Sequence, residues 1–188
     1  MKQIKKRSAQ IAITGFVAAG MLSPLYGVSW IGGVAGDWNV AGNWSPAGVP
    51  GGGDFLGFSG AEGAVIGSGV TAETWRMNLQ RGNVGGGTTA TLTIQAGGSL
   101  TTGVLPNGGS IAGMNLNWGG NGGSSGAAIN IVGGSLVSQT VRTPGASAAG
   151  QDITLAISAG GSASMTTLDL DGTGAGYGRF PSTVRVRR

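Results

Sequence analysis

The chain has 188 residues, of which 41 are glycine, with no cysteine, no histidine, 10% charged residues and a formal net charge of +4. Glycine at roughly three times ordinary usage, and charge at well under half of it, exclude an ordinary helical or α/β enzyme. Collagen needs glycine at every third position, and a disordered chain lacks the 40% hydrophobic content found here, so a glycine-punctuated all-β protein remains.

In chain order, Lys2, Lys5, Lys6 and Arg7 come first. The apolar small-residue run AQIAITGFVAAGML follows, and then a helix-breaking SPLYG. These are the three regions of a secretory signal peptide. Residues 1–27 are therefore expected to direct export, with cleavage after Gly27 or, as another candidate, after Gly20. A retained anchor would need about 20 uninterrupted apolar residues, and Pro24 interrupts this run too early. The protein is expected to be secreted or held at the cell surface, with no stable membrane span once the signal is removed. Arg185, Arg187 and Arg188 form a second basic cluster at the other end. Between the clusters four basic residues (Arg76, Arg81, Arg142, Arg179) face all seven acidic ones. The body is mildly acidic, and no nucleic-acid partner is expected.

Residues 28–63 carry Trp30, Trp38 and Trp44 and read as an N-terminal capping segment. Exposed indoles could instead stack on sugar rings, so these three are also the ligand-binding candidates of a carbohydrate reading. From residue 64 onward the chain repeats itself. TLTIQAGGSL (91–100), AINIVGGSL (128–136) and TLAISAGGSA (154–163) each read as a strand, a GGS corner and a second strand. Leu92 and Ile94, Ile129 and Ile131, and Leu155 and Ile157 alternate with small or polar residues, so one face of each strand is apolar. The glycine pairs stand 36 and then 27 positions apart, and Gly67 in a weaker unit, AVIGSGVTAETWRMNL, lies 30 before Gly97. If GGNGGSSG (119–126) is an inserted loop, the longer spacing falls to 28.

Four units at this pitch predict a parallel β-helix or β-solenoid of about four coils over residues 64–178, in which stacking buries the apolar ladders. A β-sandwich of short hairpins is the alternative. Trp75 and Trp118 are expected at coil edges. Residues 179–188 read as a basic tail.

The segment SWIGGVAGDWNVAGNWSPAGVPGGGD (29–54), followed by GNVGGGTTATLTIQAGGSLTTG (82–103), resembles the repeat-rich exported bacterial proteins that carry PEP-CTERM sorting signals, and also the solenoids of autotransporter passengers. The resemblance implies a surface-displayed structural β-solenoid with no catalytic residues to carry over. Such proteins continue to a Pro-Glu-Pro motif, an apolar helix and a basic tail, whereas this sequence runs to GYGRFPSTVRVRR. Truncation, or an end without the sorting signal, are both expected readings of that difference.

Without histidine or cysteine, the usual triads and thiolate metal sites are excluded. Asp169 and Asp171 in LDLDGTG resemble the opening of a calcium loop, but a closing acidic ligand is missing. Paired-carboxylate catalysis needs two acids facing one groove; Asp54, Glu62, Glu73 and Asp152 are scattered. GNVGGG lacks the helix and the Lys-Ser/Thr of a phosphate loop. A threonine array is interrupted, because the aligned outward positions are Thr91 and Thr93, then Ala128 and Asn130, then Thr154 and Ala156. The expectation is a non-enzymatic structural or adhesive protein without cofactor, contacting extracellular polysaccharide or other copies of itself. The alternative is a polysaccharide-binding or polysaccharide-active β-helix.

Overall fold

The structure, a computed structural model, describes residues 27–81, 87–103, 113–118, 126–143, 152–169 and 183–187. Residues 1–26, the bulk of the expected signal peptide, lie outside them, as do Asp171 and most of GNVGGG. Among the described residues no helix is long and apolar enough to cross a membrane.

The fold is all-β. The strands are β1 (Val28–Trp30), β2 (Gly36–Asp37), β3 (Trp44–Ser45), β4 (Phe55–Gly57), β5 (Gly63–Ile66), β6 (Thr71–Thr74) and β7 (Arg76–Arg81). They continue with β8 (Thr89–Gln95), β9 (Ser99–Thr102), β10 (Gly113–Trp118), β11 (Gly126–Val132), β12 (Ser135–Arg142), β13 (Asp152–Ser158), β14 (Ser162–Asp169) and β15 (Thr183–Arg187). One sheet is parallel, in the order β15-β13-β11-β8-β5-β2; the other is mixed, β3-β1-β4-β7-β10-β12-β9-β6, with β14 on β12. Among the described strands, antiparallel pairing is confined to β1 with β3. A sandwich of hairpins would make antiparallel neighbours the rule.

The alternation read from sequence sets the register. Ala64, Leu92, Ile129 and Leu155 stack in one row, and Ile66, Ile94, Ile131 and Ile157 in the next. In the mixed sheet Ala72, Leu100, Leu136 and Ala163 form a third. Most of these side chains belong to one buried cluster that extends from Val28 to Leu155. Each fully buried Leu or Ile contributes about 1.5–3 kcal/mol, so the rows are the main source of cohesion.

Each glycine pair divides two tasks. The first member, Gly97, Gly133 or Gly160, has φ of +76°, +74° or +78°, which turns the chain in a conformation that a side chain resists. The second, Gly98, Gly134 or Gly161, lies against the preceding repeat. The corners are also bonded to one another: Ser99 N–H donates to Val70 O (2.9 Å), Ser135 N–H to Gly98 O (3.1 Å) and Ser162 N–H to Gly134 O (3.0 Å).

Two boundaries differ from expectation. Parallel pairing begins well before residue 64, since β1 pairs with β4, β2 with β5 and β4 with β7. Thr183–Arg187, within the expected basic tail, run alongside β13 as β15.

The long repeat also has a different cause from the one its glycines suggest. Thr74, Thr102 and Ser138 share one rung, and Met77, Met114 and Val141 share another. These rungs are three positions apart at 74–77 and 138–141 but twelve apart at 102–114, so nine extra positions fall between Thr102 and Met114. Arg81 to Thr89 and Trp118 to Gly126 both span eight positions. GGNGGSSG (119–126) is therefore the counterpart of GNVGGGTT (82–89), and the insertion is VLPNGGSIA (104–112), whose Pro-Asn-Gly-Gly run carries its own turn signal.

Candidate functional site

The three candidate tryptophans meet in one cluster at the N-terminal edge of the sheets. Trp44 is central: its ring centroid lies 4.8 Å from that of Trp30 and 4.8 Å from that of Trp38, both edge-on, and 5.9 Å from that of Phe58. Trp30 stacks on Phe58 at 5.6 Å. The exposures of Trp30, Trp38 and Trp44 are 1%, 0% and 1%, so none of the three presents a ring face to solvent. Trp30 Nε1 donates to Gly33 O (2.9 Å) and Trp44 Nε1 to Trp38 O (2.9 Å). Among the described residues, Trp38 Nε1 and Trp75 Nε1 are buried with no hydrogen-bond partner.

Of the calcium candidates, Asp169 ends β14, half-buried, and its carbonyl accepts the Thr143 N–H (2.9 Å). Among the described residues no three acidic side chains come together as a metal site. Several carboxylates instead hold local turns. Asp37 accepts the Asn39 N–H (2.8 Å), Asp54 the Gly51 N–H (2.8 Å) and Glu62 the Ser59 N–H (2.5 Å). Burial pushes the Glu62 carboxyl above its ordinary pKa, and the Ser59 hydrogen bond partly draws it back.

The most organised polar feature is a ladder across the mixed sheet. Asn78, Asn115, Arg142 and Asp169 occupy one register position on successive strands. Asn115 Nδ2 donates to Asn78 Oδ1 (2.7 Å), and Arg142 Nε donates to Asn115 Oδ1 (2.8 Å). Both asparagines are buried, on the strand face opposite Met77 and Leu79, because successive side chains alternate. Nearby, the Arg76 guanidinium lies over the Phe55 ring at 5.0 Å. Its pKa is lowered, first by burial and then by the like charge of Arg142.

The ladder's chemistry is hydrogen bonding and positive charge rather than proton transfer. The sequence reading passed over its asparagines, yet a signal was present: Met-Asn-Leu occurs at 77–79 and again at 114–116. Asn115→Ala would leave the buried Asn78 oxygen and Arg142 Nε without their shared partner and is expected to cost about 2 kcal/mol in urea unfolding. Asn130→Ala, at a half-buried position, should stay within about 0.5 kcal/mol of the parent.

Comparison with known proteins finds no match: no protein-family model, no curated protein and no solved structure matches this chain.

Proposed function

We propose that the chain is an exported, non-catalytic parallel β-solenoid of about four coils, closed at its N-terminal end by the tryptophan cluster. Its role in this reading is structural or adhesive, at the cell surface or in the extracellular matrix. The observation that carries it is the stacking of Leu92, Ile129 and Leu155 over one another, while the outward positions beside them vary between Thr91, Ala128 and Thr154. Selection on such a column keeps the inside and leaves the outside free, as suits a scaffold presenting Ser, Thr and Asn for weak, repeated contacts. The signal-like residues 1–27 and the resemblance to PEP-CTERM-type proteins support export.

The test is expression of the full chain in a bacterial host, followed by fractionation and N-terminal sequencing. A surface or extracellular product beginning after Gly20 or Gly27 is expected; an intact product in the cytoplasm overturns the export reading. The same product, incubated with acidic and neutral polysaccharides, should release no new chain ends. Release would favour the polysaccharide-active alternative.

A further inference from the structure

We propose that two copies of this chain pack face to face through the outer side of the parallel sheet, about a twofold axis that lies along the strands, so that β2 of each copy meets β15 of the other. The inference names a partner for the outward face that the scaffold reading leaves to weak contacts. It rests on that reading for the free face and not for export, so it can fail while export stands.

The alternation that buries Leu92, Ile129 and Leu155 turns the residues between them outward. On β5, β8, β11 and β13 these include Val65, Thr91, Thr93, Asn130, Thr154 and Ala156, all half-buried and all uncharged. Val132, which ends β11, is 41% exposed. Depletion of charge is what distinguishes the core of an interface from ordinary protein surface. The outward positions of the mixed sheet differ in this respect, because they carry Glu73, Arg76 and Arg142.

Charge on the parallel sheet is confined to the borders of the face, and the two borders are opposite in sign. One row of the register runs Asp37, Val65, Thr93, Asn130, Ala156, Arg187. It begins on an exposed acid and ends on a base. In the neighbouring row Arg185 stands beside Thr154, while Asp152 starts β13 at the rim.

This asymmetry selects the occupant and its orientation. A twofold axis across the strands would lay each strand over its own copy, acid against acid at β2 and arginine against arginine at β15. An axis along the strands lays Asp37 against Arg187 of the second copy. It also sets Val65 against Ala156 and Thr93 against Asn130, so the longer aliphatic side chain meets the shortest. Juxtaposed like charges oppose association, and the second arrangement avoids them. The contact is isologous and closed, a dimer rather than a fibre. At the usual rise per residue and strand spacing the sheet covers about 500 Å² on each copy, so the dimer buries about 1,000 Å², the lower end of a specific interface.

Sedimentation equilibrium of the full chain should show a mass that rises with concentration to twice that of the monomer. Thr93→Lys/Asn130→Lys should hold it at the monomer with an unchanged β circular dichroism spectrum. The chain has no cysteine, which permits a second measurement independent of that variant's folding. Val65→Cys mixed with Ala156→Cys should be joined by a rigid bis-maleimide matched to the roughly 10 Å between packed sheets. Neither variant should be joined when alone, because two copies of the same position lie about 14 Å apart across the strands as well. A parent that stays monomeric over the whole range overturns the proposal. So does a dimer that is not joined in the mixture, or one in which each cysteine variant links to itself, as the axis across the strands would require.

Discussion

Replacing Gly134 with alanine is expected to cost about 3 kcal/mol or more, a large share of the roughly 5–15 kcal/mol that holds a domain folded. A Cβ at this position would lie 2.5 Å from Gln95 O, 2.6 Å from Ile94 Cγ2 and 2.9 Å from Ile94 O. Two of those atoms are backbone, fixed in the strand that carries the buried Ile94, and cannot swing aside. Relief requires the corner to move away from its predecessor, which would stretch the Ser135 N–H bond to Gly98 O and unstack Ile131 from Ile94. Gly160→Ala is the informative comparison. Its Cβ would meet nothing within 4 Å, and the cost there is the φ of +78°, about 1–2 kcal/mol. Urea midpoints for the two variants should differ in that order. Equal losses would mean that the second glycine is not held against the preceding repeat.

Trp44→Ala is expected to cost about 3–5 kcal/mol, as do other truncations of large buried aromatics. The ring touches Trp30, Trp38 and Phe58, and edge-on pairs add about 0.5–1.5 kcal/mol each beyond their buried area. Its indole N–H is also the partner of the buried Trp38 carbonyl. Removing one ring therefore opens a cavity and orphans a backbone acceptor in the same place. The near-ultraviolet circular dichroism of the cluster should collapse, and the thermal midpoint should fall by several degrees or more. Because the three rings are buried, adding sugars to the parent protein should leave the fluorescence of this cluster unshifted. A loss below about 1 kcal/mol in Trp44→Ala would show that the cluster does not seal the core.

Much of this was legible because it is local. Period-two alternation in TLTI, AINI and TLAI identifies the buried face from a few consecutive residues, and each Gly-Gly-Ser marks a corner where a turn is sterically demanded. Those features led to the all-β class and to the stacking of Leu92, Ile129 and Leu155 that the register shows. The closeness of Trp30, Trp38 and Trp44 in sequence was also readable, since fourteen positions separate the outer two; their meeting in space depends on both sheets, because Trp30 and Trp44 pair at the edge of the mixed sheet and Trp38 follows the edge strand of the parallel one.

The rest depends on which residue lies over which across a repeat, and composition does not carry that information. VLPNGGSIA and GGNGGSSG both look like loops; only the pairing of Met114 with Met77 and Val141 shows that the first is the insertion. The polar ladder has the same origin. Asn78, Asn115, Arg142 and Asp169 are separated by 37, 27 and 27 positions, and they meet because backbone hydrogen bonds fix the register after the insertion is absorbed. Gln80 adopts φ of +69° inside a buried strand, an outlier that no local rule for glutamine would propose. Alternation is a property of one strand, and so it is written in the chain. Register is a property of two strands, and it exists once the backbone has closed around the core.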